Sequence, residues 1–279
     1  MNISENKTNL NNIKNDFIGD NIKNDFIGAF QNYTFWLYLP MTDVKLKYRR
    51  TALGPIWNIL TILITVSIMS VAWATIFKMD LSNYLPRLYF GLTAWIFCSS
   101  MIVTGSNMYL GSYHDLFTNI KISIFSIALR NMTFHLYIYF HYLIGAIILI
   151  FLLDVDINRN LFFFLISLIL IICNYFWISI LLGAITAKFR DIAPMMDSVM
   201  GAGTLLTPIV WDKTMLGKYE NFAYLNPFTF FVEALREPLM GNFPGMHVYL
   251  GLLIFIFTGF LILMIFLKYN FKKIIYWST

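Results

Sequence analysis

Charge-free apolar runs alternate with short polar breaks along most of this chain, and four of the runs are long: Ile56–Phe77, Leu88–Tyr113, Asn131–Leu153 and Leu161–Ala187. A helix needs roughly 20 consecutive apolar residues to cross a hydrocarbon core about 30 Å thick, so each run predicts a transmembrane helix. Met195–Trp211 predicts a shorter fifth span and Val248–Leu267 a sixth. Between these two, the stretch Asp212–His247 is too apolar for an ordinary loop, yet Pro and Gly cut it into pieces shorter than a span. Backbone groups at membrane depth must be helical or enclosed by protein. One or two short re-entrant helices on the outer side are therefore expected between spans five and six. The fold class is an all-α membrane protein with six transmembrane helices.

Ahead of the first span the pattern changes twice. Asn12–Gly19 and Asn21–Gly28 are the same octapeptide, NIKNDFIG, and residues 1–28 read as a flexible cytoplasmic tail. Residues 29–55 begin with aromatics (Phe30, Tyr33, Phe35, Trp36, Tyr38) closed by Pro40, and continue into the basic run VKLKYRR. This predicts an amphipathic helix at the membrane interface, N-capped at Thr42 or Asp43, with its cations toward lipid phosphates or another anionic ligand. Residues 56–268 form the spanning domain and 269–279 a cytoplasmic C-terminus.

Composition agrees: 58% of residues are apolar and 13% charged, against about 25% charged in soluble domains. A chain of 279 residues cannot enclose so many fully apolar helices in a soluble core. No cleavable signal peptide is expected at the Asn- and Lys-rich start, so the N-terminus is placed in the cytoplasm. Six spans from there put fourteen of the twenty Lys and Arg residues on the cytoplasmic side, as positive-inside orientation requires. The net charge of +5 is thereby an orientation signal, with no need of nucleic acid. Cys98 and Cys173 fall within predicted spans and read as buried thiols.

Catalytic chemistry is sparse. There is no Gly-x-x-x-x-Gly-Lys-Ser/Thr phosphate loop, and the one Gly-Lys pair, Gly217-Lys218, precedes Tyr219 on the outer side. The four histidines are scattered, so no metal site is expected; His135 and His141 lie within the third span and are expected to be neutral and bonded to Tyr or Ser. The spans carry no charge at mid-depth, which argues against a proton-coupled carrier. Aromatics make up 18% of the chain, and Trp73, Trp95, Phe97, Phe176 and Trp177 lie well inside spans. Most such rings are packing or interface residues. Two short cytoplasmic segments, Gly111–Arg130 and Lys188–Asp197, are sized to touch a partner.

The block MTDVKLKYRRTALGPIWNILT at 41–61 resembles the start of the first span in membrane subunits of ABC-2-type exporters, most of all the permeases that export O-antigen polysaccharide. Their pattern reads approximately D-x-K-x-(K/R)-Y-(K/R)-R-(S/T)-x-L-G-P-x-W. LLGAITAKFRDIAPMMDSVM at 181–200, LLTPIVW at 205–211 and LNPFTFFVEALREPLMG at 225–241 resemble the same family in the same order. The segment NIKISIFS at 119–126 departs from it in lacking a Phe-Pro or Leu-Pro step.

The resemblance implies a homodimer with two copies of a separate ABC ATPase, which would hold the ATP and magnesium; this chain then carries no cofactor and is not itself an enzyme. It implies a polyprenyl-pyrophosphate-linked glycan as substrate, met at Tyr48, Arg49, Arg50, Leu53 and Gly54. The glycan would pass the aromatics Trp73, Trp95, Phe97, Phe176 and Trp177. Coupling to the ATPase falls to His114, Asp115, Asn119 and Lys121, with Lys188, Phe189, Arg190 and Asp191 nearby; Asn226, Pro227, Glu233 and Arg236 belong to an outer gate. The location implied is a bacterial inner membrane, multi-pass, with both termini cytoplasmic. Teichoic acid and capsular polysaccharide permeases share versions of these blocks. A membrane enzyme acting on lipid-linked sugars and a small-molecule permease are the remaining alternatives.

Overall fold

The computed structural model describes residues 22–110, 122–153 and 161–278. Among them all regular structure is helical: α1 (Ile22–Gln31), a π-helical turn (Thr34–Tyr38), α2 (Leu39–Lys47), α3 (Ile56–Phe77), α4 (Leu81–Ser106), α5 (Ile124–Leu153), α6 (Leu161–Lys188), α7 (Ile192–Leu206), a 3₁₀ helix (Lys213–Leu225), α8 (Pro227–Leu239), α9 (Met246–Asn270) and α10 (Lys273–Ser278). Five of these, α3, α4, α5, α6 and α9, are long and apolar enough to cross a membrane. Their free faces carry apolar side chains such as Ile64, Ile68, Phe257 and Leu261, each more than half exposed, as a lipid-facing surface requires.

The first and fourth spans have nearly the expected bounds, and the last gains a few residues at each end. The second and third differ in an instructive way. Instead of Leu88–Tyr113, α4 runs from Leu81 to Ser106 and takes in Pro86 and Arg87. Instead of Asn131–Leu153, α5 begins at Ile124 and takes in Arg130. A charge ends an apolar run in a sequence, but it does not end a helix when a partner neutralises it. Arg87 pairs with Asp212 at 2.8 Å and Arg130 with Asp43 at 2.5 Å.

The expected fifth span, Met195–Trp211, is cut short. α7 covers 15 residues, about 22 Å at 1.5 Å per residue. Pro208 forces the preceding residue out of the helical region, and Thr207 is extended at φ −87°, ψ 139°. Asp43 and Thr42 are not helix caps either; both lie inside α2, which starts with Pro40 in its first turn.

α4 is the central helix, buried over most of its length and packed against α3, α5, α6, α7 and α8. Its backbone comes close to that of α6. A Cβ on Gly105 would lie 2.8 Å from the Ser179 hydroxyl and one on Gly183 3.0 Å from the Gly105 carbonyl. Ser179 and Gly183 are four residues apart on one face, the small-residue spacing that brings membrane helices together. α9 packs on the other side of α6, and α8 is buried among α4, α6 and α9. α1, the π-helical turn and α2 lie against α5.

Candidate functional site

At the end of α2 the chain makes a tight turn. Thr51 closes it by donating its backbone N–H and its hydroxyl to the Tyr48 carbonyl, and the Tyr48 hydroxyl donates to the Asn58 amide oxygen at the start of α3. Arg50 holds φ 72° and Gly54 φ 55°. A left-handed arginine is uncommon outside turns that need it. Arg49, Arg50 and Leu53 are exposed, and neither guanidinium has a side-chain partner among the described residues. The platform beneath is firm: Arg130 of α5 holds Asp43 and lies 5.9 Å from the Phe35 ring centroid, while the Tyr137 hydroxyl donates to the Leu37 carbonyl at 2.9 Å.

Lys47, two residues before Arg49, lines a cavity of about 480 Å³ between α4, α5 and α7. Its walls combine aromatic faces (Trp95, Phe97, Phe134, Tyr142) with hydroxyls of Ser99, Ser100, Thr104 and Thr204. Trp95 is fixed by Gly203, whose Cβ would lie 2.6 Å from the ring, and by edge-to-face contact with Phe228 at 5.5 Å. Phe97 stacks on Tyr139 at 4.5 Å. His135, also lining the cavity, shares a 2.7 Å hydrogen bond with the Thr104 hydroxyl, so its partner is a threonine and not the expected Tyr or Ser; His141 bonds the Tyr137 carbonyl. The other three named aromatics lie elsewhere. Trp73 stacks on Phe77 in α3, Phe176 on Phe125 and Phe260, and Trp177 covers Gly259 of α9.

At the opposite end of the bundle a charge network fastens the segment after α7. Glu233 and Arg236 are fully buried in α8. Glu233 faces Lys213 at 2.9 Å and accepts from the Tyr224 hydroxyl at 2.7 Å. Arg236 donates to the Pro208 carbonyl at 2.7 Å and to Glu237 at 3.0 Å, 3.8 Å from Glu233. Burial pushes the Tyr224 hydroxyl up to about 12, and it stays a donor. Burial also works to raise Asp212, but the Thr214 N–H and the Arg87 guanidinium outweigh it and hold that carboxyl below the usual range. Asn226 caps α8 by accepting the Phe228 N–H at 3.0 Å, with Pro227 in the first turn and its amide donating to Thr207.

The residues expected to meet the ATPase divide. Lys188, Phe189, Arg190 and Asp191 form an exposed turn between α6 and α7, with the Lys188 ammonium 5.3 Å from the Trp277 ring centroid. His114, Asp115, Asn119 and Lys121 lie outside the described residues. Sequence reasoning did not find the Arg87–Asp212 pair or the roles of Lys213 and Tyr224. The signal was present in Arg87 just before one apolar run and Asp212 just after another.

No curated protein matches the chain. The profile of the ABC-2 type transporter family matches residues 36–240, which spans the cationic turn, the cavity and the charge network. With its apolar helices and that match over most of its length, the chain belongs to the ABC-2 type transporter family, as a multi-pass transport subunit.

Proposed function

We propose that this subunit is the membrane half of an exporter that moves a lipid-linked, O-antigen-like polysaccharide from the cytoplasm to the outer side of a bacterial inner membrane. Family membership supports transport driven by an ABC ATPase. In this reading two copies of the chain meet two ATPase subunits, α7 with residues 207–211 makes a sixth crossing, and the 3₁₀ helix and α8 fold back as the outer gate. Both termini lie in the cytoplasm, where the turn at Lys188–Asp191 faces the ATPase.

The observation that carries the substrate reading is the cationic turn beside the aromatic and hydroxyl-lined cavity. Arg49 and Arg50 are exposed at the end of α2, and Lys47 on the same helix lines the cavity. Guanidiniums grip phosphate oxygens through charge-assisted, bidentate hydrogen bonds. Aromatic faces contact the C–H faces of sugars without fixing them. The outer-segment acids Asp212, Glu233 and Glu237 are already committed to ion pairs, which favours transport over chemistry on the glycan.

Hydrogen bonds to charged groups contribute about 1.5–3 kcal/mol each, so losing two guanidiniums weakens pyrophosphate binding by roughly 100-fold or more. The Arg49→Gln/Arg50→Gln protein is expected to reach the membrane, leave lipid-linked polymer in the cytoplasm and strip the cell surface of it. Undiminished surface polymer would sink the assignment. Purified alone, the subunit is expected to show no ATP hydrolysis, and an ATPase is expected to co-purify from its native membrane.

A further inference from the structure

The second octapeptide copy is seated. Ser123 caps α5 by accepting the Phe125 N–H at 3.1 Å, and its hydroxyl donates to the Asp25 carboxylate at 2.8 Å. The Ile124 N–H also reaches that carboxylate. A carboxylate at a helix N-terminus meets unpaired N–H groups and the positive end of the helix dipole. Next to it, Phe26 lies edge-to-face with Phe125 at 5.3 Å and Phe176 at 6.3 Å, and Ile22 packs against the core. The seat therefore reads an acid followed by an aromatic. Asp-Phe occurs in the chain at two places only, Asp25-Phe26 and Asp16-Phe17, within identical octapeptides nine residues apart.

We propose that the first copy, Asn12–Gly19, is a second occupant of this seat, so that the tail docks in two registers that differ by nine residues. In the alternative register Asp16 takes the place of Asp25 on Ser123 and Phe17 that of Phe26, and the second copy becomes slack chain ahead of the interfacial helix. The residues just after each copy decide which register dominates. Ala29-Phe30 after the second copy adds a fully buried alanine whose carbonyl accepts from the Trp36 indole at 3.0 Å, and Phe30 meets Phe26 at 5.0 Å. Asp20-Asn21 after the first copy offers neither contact. The first copy is thus the minority occupant, and its looped-out residues carry an entropic cost that grows only slowly with length. The seat opens α5 within the segment Gly111–Arg130, so the exchange releases or takes in tail at that point.

The test uses the full chain in its native membrane, with the photo-crosslinker p-benzoylphenylalanine at position 17 or 26 and cross-linked peptides mapped by mass spectrometry. Position 26 is expected to cross-link to α5 near Phe125 or α6 near Phe176. Position 17 is expected to give the same products within one chain at low yield, rising several-fold in Asp25→Ala/Phe26→Ala and falling again when Asp16→Ala is added. The proposal is overturned if position 17 never reaches those peptides in Asp25→Ala/Phe26→Ala. It is equally overturned if Asp16→Ala leaves the yield unchanged, or if the product joins two chains.

Discussion

Arg236→Met is expected to lower the thermal unfolding midpoint of the detergent-purified protein more than any other single substitution between α7 and α9. The guanidinium is fully buried and binds the Pro208 carbonyl, Glu237 and, more distantly, Glu233. Removing one member of a buried ion network strands the others and costs about 3–5 kcal/mol. Arg236→Lys keeps the charge but cannot span both the carbonyl and the carboxylate, so its loss is intermediate. An Arg236→Met protein as stable as the parent would show that the network does not hold α8 in place. The pH dependence has two edges. Asp212, held low, contributes stability that is present above the ordinary carboxylate range and is lost as pH falls through its depressed pKa. Lys213 is held high because hydrogen bonds to Tyr224 and Glu233 overcome the effect of burial, and its contribution is lost as pH rises through its elevated pKa. The segment is accordingly most firmly held near neutrality.

Gly183→Leu is expected to yield no correctly folded protein, or a protein destabilised by about 3 kcal/mol, the upper end of the usual cost of overpacking. A Cβ there meets the Gly105 carbonyl at 3.0 Å and Met108 and Tyr109 at 3.0 and 3.1 Å, so backbone as well as side chains must give way. Gly201→Leu is the control, since a Cβ at Gly201 meets nothing within 4 Å. Monodispersity on size exclusion and protease resistance separate the two; equal behaviour would mean that the contact of α4 and α6 tolerates a full side chain.

The sequence was most legible where one physical requirement dominated. α3 is a long charge-free run and α6 and α9 are charge-free up to a lysine in the last turn, and the need to span hydrocarbon sets their bounds within a few residues. The ordered blocks from 41 to 241 pointed to the family that matches residues 36–240. Legibility failed where a long-range partner changed the meaning of a residue. Arg87 and Arg130 look like span boundaries until Asp212 and Asp43 neutralise them, and Asp43 looks like a cap until Arg130 claims it. The cavity was invisible because α4, α5 and α7 each supply only part of its wall. Trp95 and Phe97 were singled out as intramembrane aromatics, but nothing local distinguished them from Phe176 and Trp177, which pack against α9.

α4 is fastened near both ends, by Arg87 to Asp212 at one and by Gly105 against Ser179 and Gly183 toward the other. A strut clamped in this way has little freedom to bend and passes an axial push from end to end. A displacement applied where α6 ends at Lys188 is expected to reach the Arg87–Asp212 pair through the α6–α4 contact as a translation. The two ends of the subunit are then expected to move in phase. Spin labels at the two ends of α4 should keep a constant separation through an ATP cycle while distances from α4 to α2 change, and a varying separation would mean that α4 flexes.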